Sequence, residues 1–367
     1  MLSDCTSIEA AVDGTEYRGG SIAMFGRKTM VVLGALAVVL AASYGAVRSW
    51  SSTAHGMLDW RVGVLLKYAE LTKVDLFQEG RPVADIREFS RRGTGMLKAA
   101  PTPLPVVRDI DFPGPAGRIP ARVYVPGDQA SYPVIIYYHG GGWVIGDLDS
   151  HDNVCRDLAV KVPAVVLSVD YRLAPEHVFP AAVDDAFAAM LWVTENAVSI
   201  QGDPTRIAVA GDSAGGNLAA VVARMARDRG VRLSAQVLIY PAVNLTDFST
   251  DSYRLFGDGY YLTRRYMEKF RAYYMPDNKK WADARVSPLL HGGFSALPPA
   301  MVLTAQFDVL RDEGEAYAAA LEKAGVPVTA KRYPGMIHGF IAMDRLLPAA
   351  KDARRDCAEF LRSVWAR

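Results

Sequence analysis

The chain is short of cysteine: among 367 residues there are three, Cys5, Cys155 and Cys357, odd in number and far apart. That excludes a disulfide framework and a cysteine-rich zinc site and leaves buried or incidental thiols. Net charge is equally scarce. Lys and Arg number 41 against 40 Asp and Glu, a formal charge of +1. No Lys/Arg cluster carries interleaved aromatics either, so nucleic acid is not expected as a partner. Repeats and low-complexity tracts are missing. Half of the residues are hydrophobic and 22% are charged, a balance that argues against extensive disorder. The length suits one large α/β domain with insertions, or two domains.

One stretch departs from globular texture. Thr29 to Val47 carries no charge and is flanked by Arg27-Lys28 and Arg48. As a helix it would span about 28 Å, near the hydrocarbon thickness of a bilayer. Residues 1–28 read as a polar tail, and Met24-Phe25-Gly26-Arg27-Lys28 resembles a short basic leader at which translation would naturally start. Two readings lead for residues 29–47, ahead of a buried helix in a soluble chain. As a retained anchor the run ties the chain to a membrane; as a signal peptide it is cut near Ala41, Ser43 and Gly45. Either way, the catalytic part is expected to be membrane-anchored or exported, with the basic pair on the cytoplasmic side.

From His55 to about Ala99 the pattern is helical, with Leu58, Val62, Leu65, Leu66 and Ala69 at three- and four-residue spacing. Pro101, Pro103 and Pro105 end it. Strands are expected near Val106–Asp111, Ile119–Val125, Val134–Tyr138, Ala164–Val169, Ile207–Ala210, Ala235–Ile239, Ala300–Thr304 and Val328–Tyr333. From the third onward they are mostly continuous apolar runs, as in a parallel sheet covered on both faces. Helical stretches such as Ala181–Glu195 and Asn217–Arg229 fall between them. The alternation predicts an α/β fold: a mostly parallel sheet of about eight strands with helices on both faces. Residues 244–286, rich in Tyr and Phe, interrupt the rhythm as a lid or binding element would.

Ser213 lies in Gly211-Asp212-Ser213-Ala214-Gly215-Gly216, after one apolar run and before a helix-like segment. Strand, Gly-flanked turn and helix make a nucleophile elbow of the G-x-S-x-G kind, with the helix dipole favouring developing negative charge. A nucleophilic serine needs a base, and the base an orienting acid, in the chain order Ser, Asp or Glu, His. Of the six histidines only His291 and His338 follow Ser213. His338 follows the last expected strand and Asp308 the one before it. His291, among Pro288 and Gly292-Gly293, reads as a turn residue. Asp312 is the rival acid, although with Glu313 it suits the opening turn of a helix running to Lys323. An oxyanion hole is expected from the N–H of Ala214 and from the loop His139-Gly140-Gly141-Gly142-Trp143, which follows the strand Val134–Tyr138. No Gly-x-Gly-x-x-Gly spacing or Gly-Lys-Ser/Thr is present there, so that loop is not a phosphate cradle. His139 precedes the nucleophile and reads as a loop organiser.

Together with Tyr171-Arg172-Leu173-Ala174-Pro175-Glu176, Asp308-Val-Leu-Arg-Asp-Glu-Gly314 and His338-Gly-Phe340, these motifs resemble the hormone-sensitive-lipase family of α/β-hydrolases. Five motifs in the right order cover roughly residues 58–366. The resemblance implies a serine carboxylesterase for short- to medium-chain acyl or aryl esters, with Ser213 as nucleophile, Asp308 as acid and His338 as base. It implies Gly141, Gly142 and Ala214 as oxyanion donors, with Gly140 as a further candidate, and no metal or organic cofactor. By the same resemblance residues 48–105 and 244–286 form two parts of a helical cap on a core of residues 106–243 and 287–367. The N-terminal layout is similar to that of arylacetamide deacetylase, which keeps an amidase or deacetylase reading open. A non-catalytic ligand receptor on the same fold is the remaining alternative, disfavoured because all three triad positions are filled. Asn244-Leu245-Thr246 is a formal glycosylation sequon of low specificity.

Overall fold

The computed structural model describes residues 42–366. The chain divides into a unit ending at Arg48 and a compact unit from Ser49 to Arg367. Of the expected anchor or signal segment, residues 29–41 lie outside the described residues, as do Cys5 and the polar tail. Residues 42–51 are helical, and among the described residues no helix is long and apolar enough to cross a membrane.

Eight strands form the main sheet: β1 (Val106–Gly114), β2 (Gly117–Val125), β3 (Tyr132–Tyr138), β4 (Val165–Val169), β5 (Gly202–Asp212), β6 (Ala235–Ile239), β7 (Ala300–Phe307) and β8 (Val328–Ile337). Their spatial order is β8-β7-β6-β5-β3-β4-β2-β1. β1 and β2 form a hairpin closed at Gly114 and Gly117, and β2 pairs antiparallel with β4. Every other neighbour is parallel. Burial follows pairing. All residues of β3, β4 and β6 are buried, because helices cover both faces of the parallel part. Those helices are α3 (Asp152–Lys161), α4 (Ala181–Asn196), α5 (Ala214–Asp228), α8 (Arg311–Lys323) and α9 (Pro348–Trp365). Cys155 and Cys357 sit free and buried on α3 and α9, where burial pushes both thiols up and keeps them inert.

Two expectations need correction. The helical pattern from His55 to Ala99 is two helices, α1 (Trp60–Thr72) and α2 (Val83–Leu97). Lys73 closes α1 in the left-handed region (φ 51°), its N–H bonded to the Ala69 and Glu70 carbonyls, and Pro82 caps the start of α2. The helix expected from Asn217 instead begins at Ala214. Gly215 and Gly216, expected in the turn, belong to the helix and are needed for packing. A Cβ on Gly215 would overlap the carbonyls of Tyr138 and His139, so glycine lets α5 start against the end of β3.

Residues 244–286 hold α6 (Asp251–Phe256) and α7 (Arg264–Tyr274). This stretch meets the other expected cap segment directly. Phe77 packs edge-on against Phe270 at 5.0 Å, Tyr266 takes the Leu76 N–H at 2.9 Å, and Arg265 pairs with Asp75 at 3.0 Å. Asn217 on α5 donates to the carbonyls of Ala242 (2.7 Å) and Val286 (2.9 Å), tying both roots of the insertion to the core.

Candidate active site

Four strands deliver the chemistry to one rim, because the carboxyl ends of parallel strands point the same way. β3 ends at Tyr138, β5 at Asp212, β7 at Phe307 and β8 at Ile337. The next residues are His139, Ser213, Asp308 and His338.

Ser213 has φ 56° and ψ −119°, a left-handed conformation that costs a β-carbon residue about 1–3 kcal/mol. The fold holds it there: its N–H donates to the Ile239 carbonyl at 2.8 Å and its carbonyl accepts the Asn217 N–H at 3.0 Å. The strained turn lifts Oγ off the strand end. His338 Nε2 lies 2.8 Å from that oxygen, and His338 Nδ1 lies 2.7 Å from Asp308 Oδ2. The other Asp308 oxygen accepts the Leu310 N–H at 3.0 Å. Asp308 is fully buried, while Ser213 and His338 keep 8% and 7% of their surface in contact with solvent. The array opens outward at the serine and the histidine, with the aspartate sealed behind them.

The rival acid is engaged elsewhere. Asp312 accepts the Ser252 N–H at 2.7 Å at the start of α6, and Glu313 accepts the N–H groups of Val243 (2.7 Å) and Asn244 (3.1 Å). His291 follows a short turn and bonds to the Ala282 carbonyl, away from the triad.

The glycine loop lies beside Ser213. Gly141 has φ 128°, and its carbonyl accepts the N–H groups of Val144 (3.1 Å) and Ile145 (3.0 Å). No hydrogen bond within the described residues engages the N–H of Gly141, Gly142 or Ala214. Gly140 is different: its N–H donates to Asp212 Oδ1 at 2.9 Å. Gly140 is therefore removed from the expected donors, because one N–H cannot serve both a buried carboxylate and a substrate oxygen. α7 presses on the same loop, where a Cβ on Gly142 would overlap the Phe270 ring.

His139 roots the loop. Its Nδ1 donates to the Gly140 carbonyl at 2.8 Å and its ring stacks on Tyr171 with centroids 4.4 Å apart. The Tyr171 hydroxyl donates to the His139 carbonyl at 2.7 Å. Burial, reinforced by neighbouring His151, lowers the imidazole to about 4, so it is neutral at physiological pH and unsuited to act as a base. Sequence reasoning missed Asp212 and His151, which lie behind this loop. The one available signal for Asp212 was a carboxylate following the apolar run Ile207–Ala210. Among the described residues no group of three or more His, Cys, Asp or Glu is arranged to hold a metal ion.

An eight-stranded, mostly parallel sheet with a serine elbow, a histidine and a buried aspartate on its carboxyl rim defines an α/β-hydrolase. Residues 135–342 match the family described as having an alpha/beta hydrolase fold, and the chain belongs to it, within the hormone-sensitive-lipase group. It is 44% identical over 303 residues to the carboxylesterase NlhH of Mycobacterium tuberculosis, covering 80% of this chain and 94% of that one. It is 48% identical over 247 residues to the carboxylic ester hydrolase LipN of the same organism, covering 65% of each chain. Among solved structures, an ester hydrolase from the metagenome of Lake Arreo, complexed with a derivative of bipyridine phosphonate, superposes with a TM-score of 0.81. That pair is 40% identical and covers 85% of this chain and all of that one.

Proposed function

We propose that the chain is a serine carboxylesterase that hydrolyses short- to medium-chain acyl or aryl esters through an acyl-enzyme on Ser213. The observation that carries this reading is the line Ser213 Oγ, His338 Nε2, His338 Nδ1, Asp308 Oδ2, with contacts of 2.8 and 2.7 Å, beside three uncommitted N–H groups.

In this reading Ser213 Oγ attacks the ester carbonyl carbon while His338 Nε2 takes the hydroxyl proton. The carbonyl oxygen becomes an oxyanion, which the N–H groups of Gly141, Gly142 and Ala214 receive. Asp308 holds the imidazole in the tautomer with Nδ1–H and stabilises the imidazolium. Collapse of the tetrahedral intermediate expels the alcohol, which takes its proton from His338. Water then attacks the acyl-enzyme with His338 as base and frees the acid and Ser213. Residues 48–105 and 244–286 act as a helical cap whose aromatics give the acyl or aryl group an apolar wall. The uncharged run 29–47 supports a chain held at or carried across a membrane, a reading checked by alkaline extraction and N-terminal sequencing.

The test is Ser213→Ala with a short-chain p-nitrophenyl ester. Hydrolysis is abolished while the circular dichroism spectrum stays that of the parent. Near-normal turnover in the folded variant overturns the assignment. A series of p-nitrophenyl esters from acetate to palmitate then fixes chain length, with activity falling toward the insoluble end.

A further inference from the structure

The carboxylate next to the nucleophile belongs to neither the triad nor the oxyanion donors, yet it is buried with 4% exposure. Asp212 Oδ1 accepts the Gly140 N–H at 2.9 Å and the Tyr137 hydroxyl at 2.8 Å. His151 Nε2 lies 3.1 Å from Oδ1 and 3.2 Å from Oδ2. The other ring nitrogen of His151 meets Ser150 Oγ at 2.9 Å, and the Ser150 hydroxyl and N–H are both fixed on Asp147. Three parts of the chain thus converge on one side chain: the end of β3, the loop before α3 and the elbow itself.

A buried carboxylate persists only when its charge is matched. Burial pushes Asp212 up, but the charge and hydrogen bond of His151, with the Tyr137 hydroxyl, hold it below the usual carboxylate range. It is an ionised anchor, and charge-assisted bonds of this kind are roughly twice as strong as neutral ones. What it anchors is the first peptide of the glycine loop. Within the loop that His139 roots, Gly141 and Gly142 (φ 128° and 59°) carry no side chains that could fix their own peptides. The Asp212–Gly140 bond clamps it to the residue that precedes the nucleophile.

We propose that Asp212, with His151 behind it, is a positioning pair that sets the oxyanion donors relative to Ser213. This rests on the acyl-enzyme reading above. Asp212 touches no reacting atom. It fixes the Gly140 peptide so that the N–H groups of Gly141 and Gly142 stay on the side of Ser213 when the carbonyl oxygen acquires charge. His151 keeps Asp212 ionised and aimed. Such a pair acts on the transition state and leaves ground-state binding alone.

The test measures kcat and KM on p-nitrophenyl butyrate, together with the affinity of an aryl trifluoromethyl ketone, which adds to a serine as an oxyanion-bearing hemiketal. Asp212→Ala lowers kcat about 100-fold, the scale of a lost oxyanion donor. KM stays within threefold, and the ketone weakens in step with kcat. Asp212→Asn keeps an acceptor for Gly140 and loses about tenfold. His151→Gln, which retains an N–H donor but no charge, falls between the parent and Asp212→Asn, while His151→Leu tracks Asp212→Asn. The Asn and His151 variants carry the test if Asp212→Ala fails to fold. The proposal is overturned if folded Asp212→Ala or Asp212→Asn turns over within threefold of the parent. It is also overturned if kcat falls with ketone affinity unchanged, since the donors would then still receive an oxyanion as they do in the parent. Ser213→Ala separates the two levels. If that variant still hydrolyses the ester, the function fails; if it is inactive while the Asp212 variants behave as the parent, only the positioning role fails.

Discussion

His139 gives a pH dependence whose size can be worked out in advance. Its Nδ1–H is committed to the Gly140 carbonyl, and its buried Nε2 has no hydrogen-bond partner. A second proton would go onto that nitrogen, in a site with no acceptor and with His151 stacked at 5.8 Å. This is why burial, with His151 adding to it, lowers the group to about 4. In the unfolded chain a histidine titrates near 6.5. Between these values the unfolded state binds the proton and the native state does not, so stability falls as the pH drops. The loss from this group is about 2 kcal/mol by pH 5 and about 3 kcal/mol by pH 4, at about 1.4 kcal/mol per pKa unit. Two measurements check it. Histidine-labelled nuclear magnetic resonance reports one imidazole, identified by its absence in His139→Gln, that titrates near pH 4. Urea unfolding from pH 7.5 to 4.5 shows a decline that is shallower in the same variant. An imidazole at this position titrating at 6 or above refutes the reasoning, because either the ring would then reach water or Nε2 would have found an acceptor.

Asp170 should behave in the opposite sense. Burial, then the Asp147 carboxylate, raises it to about 6, above its unfolded value, so its charge costs stability at neutral pH and the cost is relieved as pH falls through 6 toward 4. Asp170→Asn therefore gains up to about 3 kcal/mol in urea unfolding at pH 7 and only about 0.5 kcal/mol at pH 4; an equal change at both excludes the cause. Arg354 on α9 is fully buried, with Asp344 at 2.9 Å, Asp157 at 3.2 Å and its fork on the Ile341 carbonyl, three residues past His338. Arg354→Ala leaves Asp344 without its cation and Asp157 with Lys161 alone at 3.5 Å, and costs about 3 kcal/mol in the same assay. A loss under about 1 kcal/mol would show that the carboxylates rehydrate freely.

The parts of the fold that sequence revealed are those governed by local chemistry. Val165–Val169 and Ala235–Ile239 read as strands because a parallel strand covered on both faces needs an unbroken apolar run. Ser213, Asp308 and His338 were legible because each follows such a run, and parallel strands bring their carboxyl ends to one rim. The misreadings at the glycines share one physical origin: the deciding partner lies far away in sequence. Gly215 is helical because it must pass the Tyr138 carbonyl, a constraint that its own neighbours do not carry. Gly140 looked like its neighbours in a glycine triplet until a carboxylate 72 residues onward took its N–H. Composition identifies a loop free to donate; only the tertiary contact says which of its donors is already engaged. Glycine flexibility and a buried anion are here two halves of one device. The loop needs glycines to approach a substrate oxygen, and those same glycines make it too mobile to hold that approach unaided. In the proposed mechanism, the ionised side chain of Asp212 links the group that attacks to the groups that receive the resulting charge, through its bond to the Gly140 N–H.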